Sequence, residues 1–215
     1  MKNVIFTSLA ACLVLISGCR WLGIQGNGKI KTDERAVSAF ANIDVKGAFE
    51  IEWQNGAPSL QITTDENLLR YIESEVSGDT LRLRTREQIR PSGSIKVVMS
   101  SPTRTGAKIR GAVKMAVKQL NGPRFAMESS GASRVSLDGN VDQLSADMTG
   151  ASKLAATGLQ TKTAEISTTG AGDADVAVTE TLKVAITGAG KVTYTGNPPT
   201  IEKHVTGAGT IRKKD

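Results

Sequence analysis

The chain has 215 residues with 22 glycines, two cysteines, one histidine and 4% aromatic residues, and its net charge is +6. A single histidine gives a Ser-His-Asp arrangement little to build on, and so mild a basic excess selects no partner by itself. Short alternating runs of Val, Ile, Thr and Ser, with almost no long helical apolar pattern, favour an all-β fold.

At the N-terminus, Lys2 is followed by an uncharged, mostly apolar run over residues 4–16, too short to span a bilayer. It leads into Ile16-Ser17-Gly18-Cys19, which resembles the lipobox of bacterial lipoproteins. The resemblance implies that residues 1–18 are a lipoprotein signal peptide and that Cys19 takes a diacylglyceryl group. Arg20 rather than Asp follows the cysteine, which by resemblance to the sorting rule of Gram-negative lipoproteins favours the outer membrane. Cys12 falls in the discarded segment, so no thiol remains for a disulfide or a soft metal. Residues 19–36, with Gly23, Gly26 and Gly28 and few apolar positions, read as a lipid-anchored tether.

Order is expected from about Val37, and residues 37–215 form one domain. Residues 41–45 and 49–53 alternate, Asn55-Gly56-Ala57-Pro58 makes a turn, and residues 60–63 form a strand. These read as less regular coils of the architecture that follows. Leu68, Leu69 and Ile72 have helical spacing after Asp65, a capping candidate, and predict one short helix over residues 67–74 near the N-terminal end. Alternation returns at residues 81–85 and 95–99.

The second half repeats. Gly111-Ala112, Gly131-Ala132, Gly150-Ala151, Gly170-Ala171, Gly188-Ala189 and Gly207-Ala208 are separated by 20, 19, 20, 18 and 19 residues. Thr149, Thr169, Thr187 and Thr206 precede the last four. Apolar residues keep their phase about each glycine, as in Leu182, Val184 and Ile186 before it and Val192 and Tyr194 after it. Two short strands joined by a glycine bend cannot bury an inner face alone, but stacked copies can. The pattern therefore predicts a parallel β-helix, a single-stranded solenoid with coils of about 19 residues. Glycine turns the corner, the alanine after it points inward, and the threonines stack in a file.

Four segments complete a resemblance: Phe40-Ala41-Asn42-Ile43-Asp44-Val45-Lys46-Gly47, Asp65-Glu66-Asn67-Leu68-Leu69, Gly78-Asp79-Thr80-Leu81 and the Gly-Ala corners. Together they resemble the putative auto-transporter adhesin, head GIN domain family over nearly the whole mature chain. The resemblance implies a right-handed β-helix with a role in adhesion or surface architecture, and it transfers no catalytic residue. Ser101-Pro102-Thr103-Arg104-Thr105 departs from it, being less apolar than a strand end.

Charge is distributed unevenly. Residues 33–79 hold ten acids and three bases, whereas residues 82–124 hold eleven bases and one acid, Glu87. A solenoid turns such segments into layers, an acidic end and a basic middle. Arg82, Arg84 and Arg86 alternate and point outward if Leu81 and Leu83 are core. Three positions after successive glycines stand Lys114, Arg134, Lys153, Asp173 and Lys191, a file that would meet an anionic polymer or serve only as solvated surface. These seven bases are the candidate anion-binding residues.

The function expected is a non-catalytic, adhesin-like or structural module at the envelope. Its partners would be the membrane through the lipid, an anionic envelope glycan or another surface protein. Nucleic acid is not expected, because the basic segment lacks interleaved aromatics and the chain is exported. No cofactor or metal is expected; Asp173 and Asp175 supply too few oxygens for calcium. The alternative is a polysaccharide lyase or hydrolase using Glu128 and Asp147 on adjacent coils. Open solenoid ends would favour capping or self-association into a homo-oligomer.

Overall fold

The computed structural model describes residues 23–214; the signal segment, Cys19 and Arg20 lie outside the described residues. The described chain folds as β1 (Ile24–Gln25), β2 (Ile30–Arg35), β3 (Asn42–Gly47), β4 (Glu50–Asn55) and β5 (Ser59–Asp65). A 3-10 turn (Glu66–Tyr71) precedes β6 (Ile72–Ser77), β7 (Thr80–Thr85), β8 (Ile89–Arg90), β9 (Lys96–Ser101) and β10 (Gly106–Gly111). The long strands β11 (Lys114–Gly131), β12 (Arg134–Gly150), β13 (Lys153–Gly170) and β14 (Asp173–Gly188) follow, then β15 (Lys191–Thr195), β16 (Thr200–Gly207) and β17 (Thr210–Lys213).

From β10 onward every pairing between neighbouring strands is parallel and joins positions one coil apart, giving a β-solenoid of about five turns. The glycines of the repeat lie in one file, which Gly47 on β3 extends beyond Gly111. Each has positive φ, from +100° at Gly150 to +139° at Gly47. The next amide closes the corner. Ala112 N–H donates to Gly47 O at 3.0 Å, Ala151 N–H to Gly131 O at 2.9 Å and Ala189 N–H to Gly170 O at 2.8 Å.

This geometry corrects the expected direction of the alanines. Ala112, Ala132, Ala151, Ala171 and Ala189 are exposed. The positive φ of the glycine turns the following Cβ outward, and the inward position comes one residue later, at Ser133, Ser152, Gly172 and Gly190, all buried. The later coils need small residues there, since a Cβ on Gly172 would stand 2.5 Å from Thr168 Oγ1, whereas Phe49 and Val113 fill the position at the first two corners. The threonine file forms as expected, with Thr149, Thr169, Thr187 and Thr206 in register on the exposed surface.

Inner side chains also form files. Val97, Ile51, Met115, Val135, Leu154, Ala174 and Val192 follow one another across seven strands, all buried. The aromatic bulk sits at the N-terminal side, where Trp53 stacks on Phe40 with ring centroids 6.0 Å apart and meets Phe125 at 6.4 Å.

The first half departs from simple coils. β2 pairs with β5, β5 with β9 and β6 with β7, all antiparallel. The tether reading ends early, since β1 pairs with β8 and β2 joins the main sheet ahead of Val37. Arg35, at the end of β2, explains why. Its guanidinium donates to Asp33 Oδ2 at 2.8 Å, Ile72 O at 2.7 Å, Ser74 Oγ at 2.9 Å and Leu69 O at 3.0 Å, which ties β2 across the end of the core.

The predicted helix is only the 3-10 turn, and Ile72 already begins β6. Leu68 and Leu69 are buried by this six-residue 3-10 segment, so their spacing needs no α-helix. Asp65 makes no side-chain cap to it. Its buried carboxylate instead accepts Ser92 N–H at 2.9 Å, Ser92 Oγ at 2.8 Å and Gly28 N–H at 2.7 Å. The Ser92 amide is the chief reason its pKa lies below the ordinary value.

The polar segment after β9 also has a role. Ser101 Oγ accepts the Trp53 indole N–H at 2.9 Å, and buried Arg104 donates to the carbonyls of Lys118 and Gln119 at a bend in β11.

A Cβ on Gly150 would lie 2.6 Å from Gly131 O, whereas one on Gly28, also at positive φ, would meet nothing within 4 Å. Gly150→Ala is expected to cost roughly 2–4 kcal/mol and Gly28→Ala about 1 kcal/mol. Urea unfolding midpoints measure both. Equal losses would mean that conformation alone, not stacking, demands glycine at the corner.

Candidate anion-binding face

The corner separates two outward faces. On the face after it, pairing places Lys96, Glu50, Lys114, Arg134, Lys153, Asp173 and Lys191 in one file. The predicted alignment of Lys114, Arg134, Lys153 and Lys191 is present, and Asp173 interrupts it. Glu50 was not anticipated. It enters because β4 lies against β11, and its carboxylate accepts Lys114 Nζ at 2.7 Å and Ser94 Oγ at 3.0 Å. The bond from Lys114 is the largest influence holding the Glu50 pKa below 4.5.

Beside this file runs a second, Val98, Glu52, Ala116, Ser136 and Ala155. The small side chains of Ala116, Ser136 and Ala155 floor a groove of about 440 Å³, whose charged walls are Lys96, Lys114, Arg134 and Lys153 together with Glu50 and Glu52 at one end. Lys118 on its far side pairs with Glu52 at 2.7 Å. Among the described residues, no carboxylate lies within ion-pair distance of Arg134, Lys153 or Lys191. Arg134 and Lys153 are therefore adjacent cations one strand spacing apart, ~4.8 Å, that form no ion pair, with Asp173 on the rung beyond Lys153.

On the face before the corner, Leu81 and Leu83 are buried, and Arg82, Arg84 and Arg86 point outward as predicted. Arg84 and Arg86 both donate to the Glu73 carboxylate on β6. Arg84 is the principal cause of a lowered Glu73 pKa. Two further bases join this cluster: Lys46 pairs in register with Arg84, and Arg110 with Lys46. The signal for them was the match between Lys46-Gly47-Ala48 and Arg110-Gly111-Ala112.

Glu128 and Asp147 stand side by side on β11 and β12. The Glu128 side chain is 62% exposed and pairs with Lys108, so the two carboxylates lie on an open, salt-bridged surface. Among the described residues, no group of three or more His, Cys, Asp or Glu is arranged to hold a metal ion. No described helix is long and apolar enough to cross a membrane.

A family model, the putative auto-transporter adhesin, head GIN domain, matches residues 39–198. The chain belongs to this family. The head GIN match begins just before β3 and ends after β15, so it spans the glycine corners up to Gly188. A solved structure described as a putative adhesin from Bacteroides fragilis has a TM-score of 0.74 and 23% identity, covering 89% of this chain and all of that one. A putative lipid binding protein from Parabacteroides distasonis gives 0.59 and 22%, covering 89% of this chain and 99% of that one. A putative adhesin from Parabacteroides merdae gives 0.50 and 18%, covering 90% of this chain and all of that one. The structural agreement establishes a shared fold. No curated protein matches the chain.

Because Lys114 holds the Glu50 carboxylate down, Lys114→Ala is expected to move the Glu50 titration midpoint upward towards 4.5. A side-chain NMR titration measures it. An unmoved midpoint would assign the shift to Ser94 or Lys96.

Proposed function

We propose that the protein is a non-catalytic, adhesin-like binding module of the cell envelope, and that it holds an anionic glycan along the groove beside Arg134 and Lys153. The supporting observation is the pair of adjacent cations, Arg134 and Lys153, that form no ion pair among the described residues, above a floor of Ala116, Ser136 and Ala155. A chain of sugars carrying carboxylates or sulfates can lie along small side chains while its charges meet successive rungs. Lys114 contributes less, because Glu50 competes for it. Family membership supports an adhesin-like role and an extracellular or envelope-associated site.

Binding to immobilised heparin, a sulfated glycan probe, tests this reading. Changing Lys114, Arg134, Lys153 and Lys191 to Glu is expected to lower affinity by about ten-fold or more at low salt, and the wild-type affinity should fall as salt rises. Affinity unchanged by the four substitutions would contradict the groove as the binding surface.

The lipobox supports attachment of this module to the outer membrane through acylated Cys19. Metabolic labelling with palmitate is expected to mark the wild type and not Cys19→Ser. Equal labelling of both would remove the anchor from the account.

A further inference from the structure

The face before the corner carries a larger cavity than the groove. Over β3, β7 and β10 it has a volume of about 950 Å³ and is lined by five bases, Lys46, Arg82, Arg84, Arg86 and Arg110, and two acids, Asp44 and Glu73. Five positive and two negative charges leave a surplus of three. The acids are already engaged: Asp44 accepts Arg110 Nη2 at 2.6 Å, and Glu73 accepts Arg84 and Arg86. Among the described residues, Lys46 and Arg82 have no carboxylate within ion-pair distance. Glu75 lies opposite Arg82 in the β6–β7 pairing, yet it forms no ion pair with it.

We propose that this cavity binds a phosphate monoester, with Lys46 and Arg82 as its direct contacts and Arg84 and Arg110 flanking them. Three features select that chemistry. A phosphate monoester carries close to two negative charges at neutral pH, so it cancels most of the surplus, whereas a carboxylate or sulfate ester cancels only one. Guanidinium groups present paired N–H donors that match phosphate oxygens, and the lysine adds a point charge. The two engaged acids hold the flanking arginines in place, so fewer side chains must be ordered when the ligand arrives. Sugar phosphates and the headgroup of phosphatidic acid share this group. The site is separate from the glycan groove and does not depend on it.

Calorimetric titration of the full chain with glucose 6-phosphate at low salt tests the assignment, with methyl sulfate as the singly charged control. Glucose 6-phosphate is expected to bind more tightly than methyl sulfate. Lys46→Ala combined with Arg82→Ala is expected to weaken it by about ten-fold or more. Arg134→Glu with Lys153→Glu should leave it unchanged, so failure of the groove reading is separable from failure of this one. Glu75→Gln should tighten binding by removing a competing charge.

Vesicles of phosphatidylcholine with added phosphatidic acid distinguish the source. Retention that depends on Lys46 and Arg82 indicates a headgroup. Retention of soluble sugar phosphate alone indicates a free ligand. No glucose 6-phosphate binding by the wild type, or equal binding by the Lys46→Ala, Arg82→Ala variant with an unchanged unfolding midpoint, would overturn the assignment.

Discussion

One hydrogen bond organises the solenoid: from Ala112 to Ala189, the alanine N–H after the corner glycine reaches the oxygen of the glycine on the preceding rung. It forms only if the glycine adopts positive φ, a region that costs an L-residue about 1–3 kcal/mol. It also brings the next glycine against that oxygen, where a Cβ would stand 2.3 to 2.7 Å away along the file from Gly111 to Gly207. Glycine is therefore required twice at the same position, for conformation and for space. Once the corner stacks in register, the strands on both sides of it are aligned, and inner and outer side chains become files.

The opposite bend is permissive. Register shifts fall between Val117 and Leu120, between Ser136 and Asp138, and between Ala156 and Gln160. These irregularities absorb repeat lengths of 18 to 20 residues without displacing the glycine corner. Arg104 supports one such bend through the carbonyls of Lys118 and Gln119, and Gln119 is a non-glycine residue with φ of +55°. Length variation is thus confined to one edge of each coil. The outward faces on either side of the corner remain continuous, and these faces carry the groove and the arginine cavity.

The coils from Gly111 onward were legible in the sequence because equal spacing and a kept apolar phase converge on stacking. The arrangement of the first half was not, since β2, β5 and β6 pair antiparallel and nothing in their short alternating runs encodes direction. The helical spacing after Asp65 misleads for a related reason: Leu68 and Leu69 are buried equally well by a six-residue 3-10 segment. Of the candidate site, the file of Lys114, Arg134, Lys153 and Lys191 followed from counting after each glycine. Its neutraliser Glu50 did not, because β4 reaches β11 across the irregular first half. Lys46 was hidden in the same way, although its Gly-Ala corner matches the later ones.

The two ends of the described solenoid differ. Arg35 crosses the N-terminal end with bonds to four residues, whereas at the other end Ile201 and Val205, which continue buried files of β14, are 37% and 41% exposed. Lys203 occupies the inward phase between them, with its ammonium 5.7 Å from the centre of the Tyr194 ring, and a charge there disfavours addition of a further apolar strand. The register set by the corner is tested most directly by disulfide trapping in a background lacking Cys12 and Cys19. Ser136→Cys with Ala155→Cys joins positions paired on adjacent coils and should cross-link readily, because neighbouring strands lie within disulfide reach. Ser136→Cys with Asp175→Cys, two coils apart, should remain reduced. Efficient cross-linking of the second pair and not the first would contradict the stacking on which the files depend.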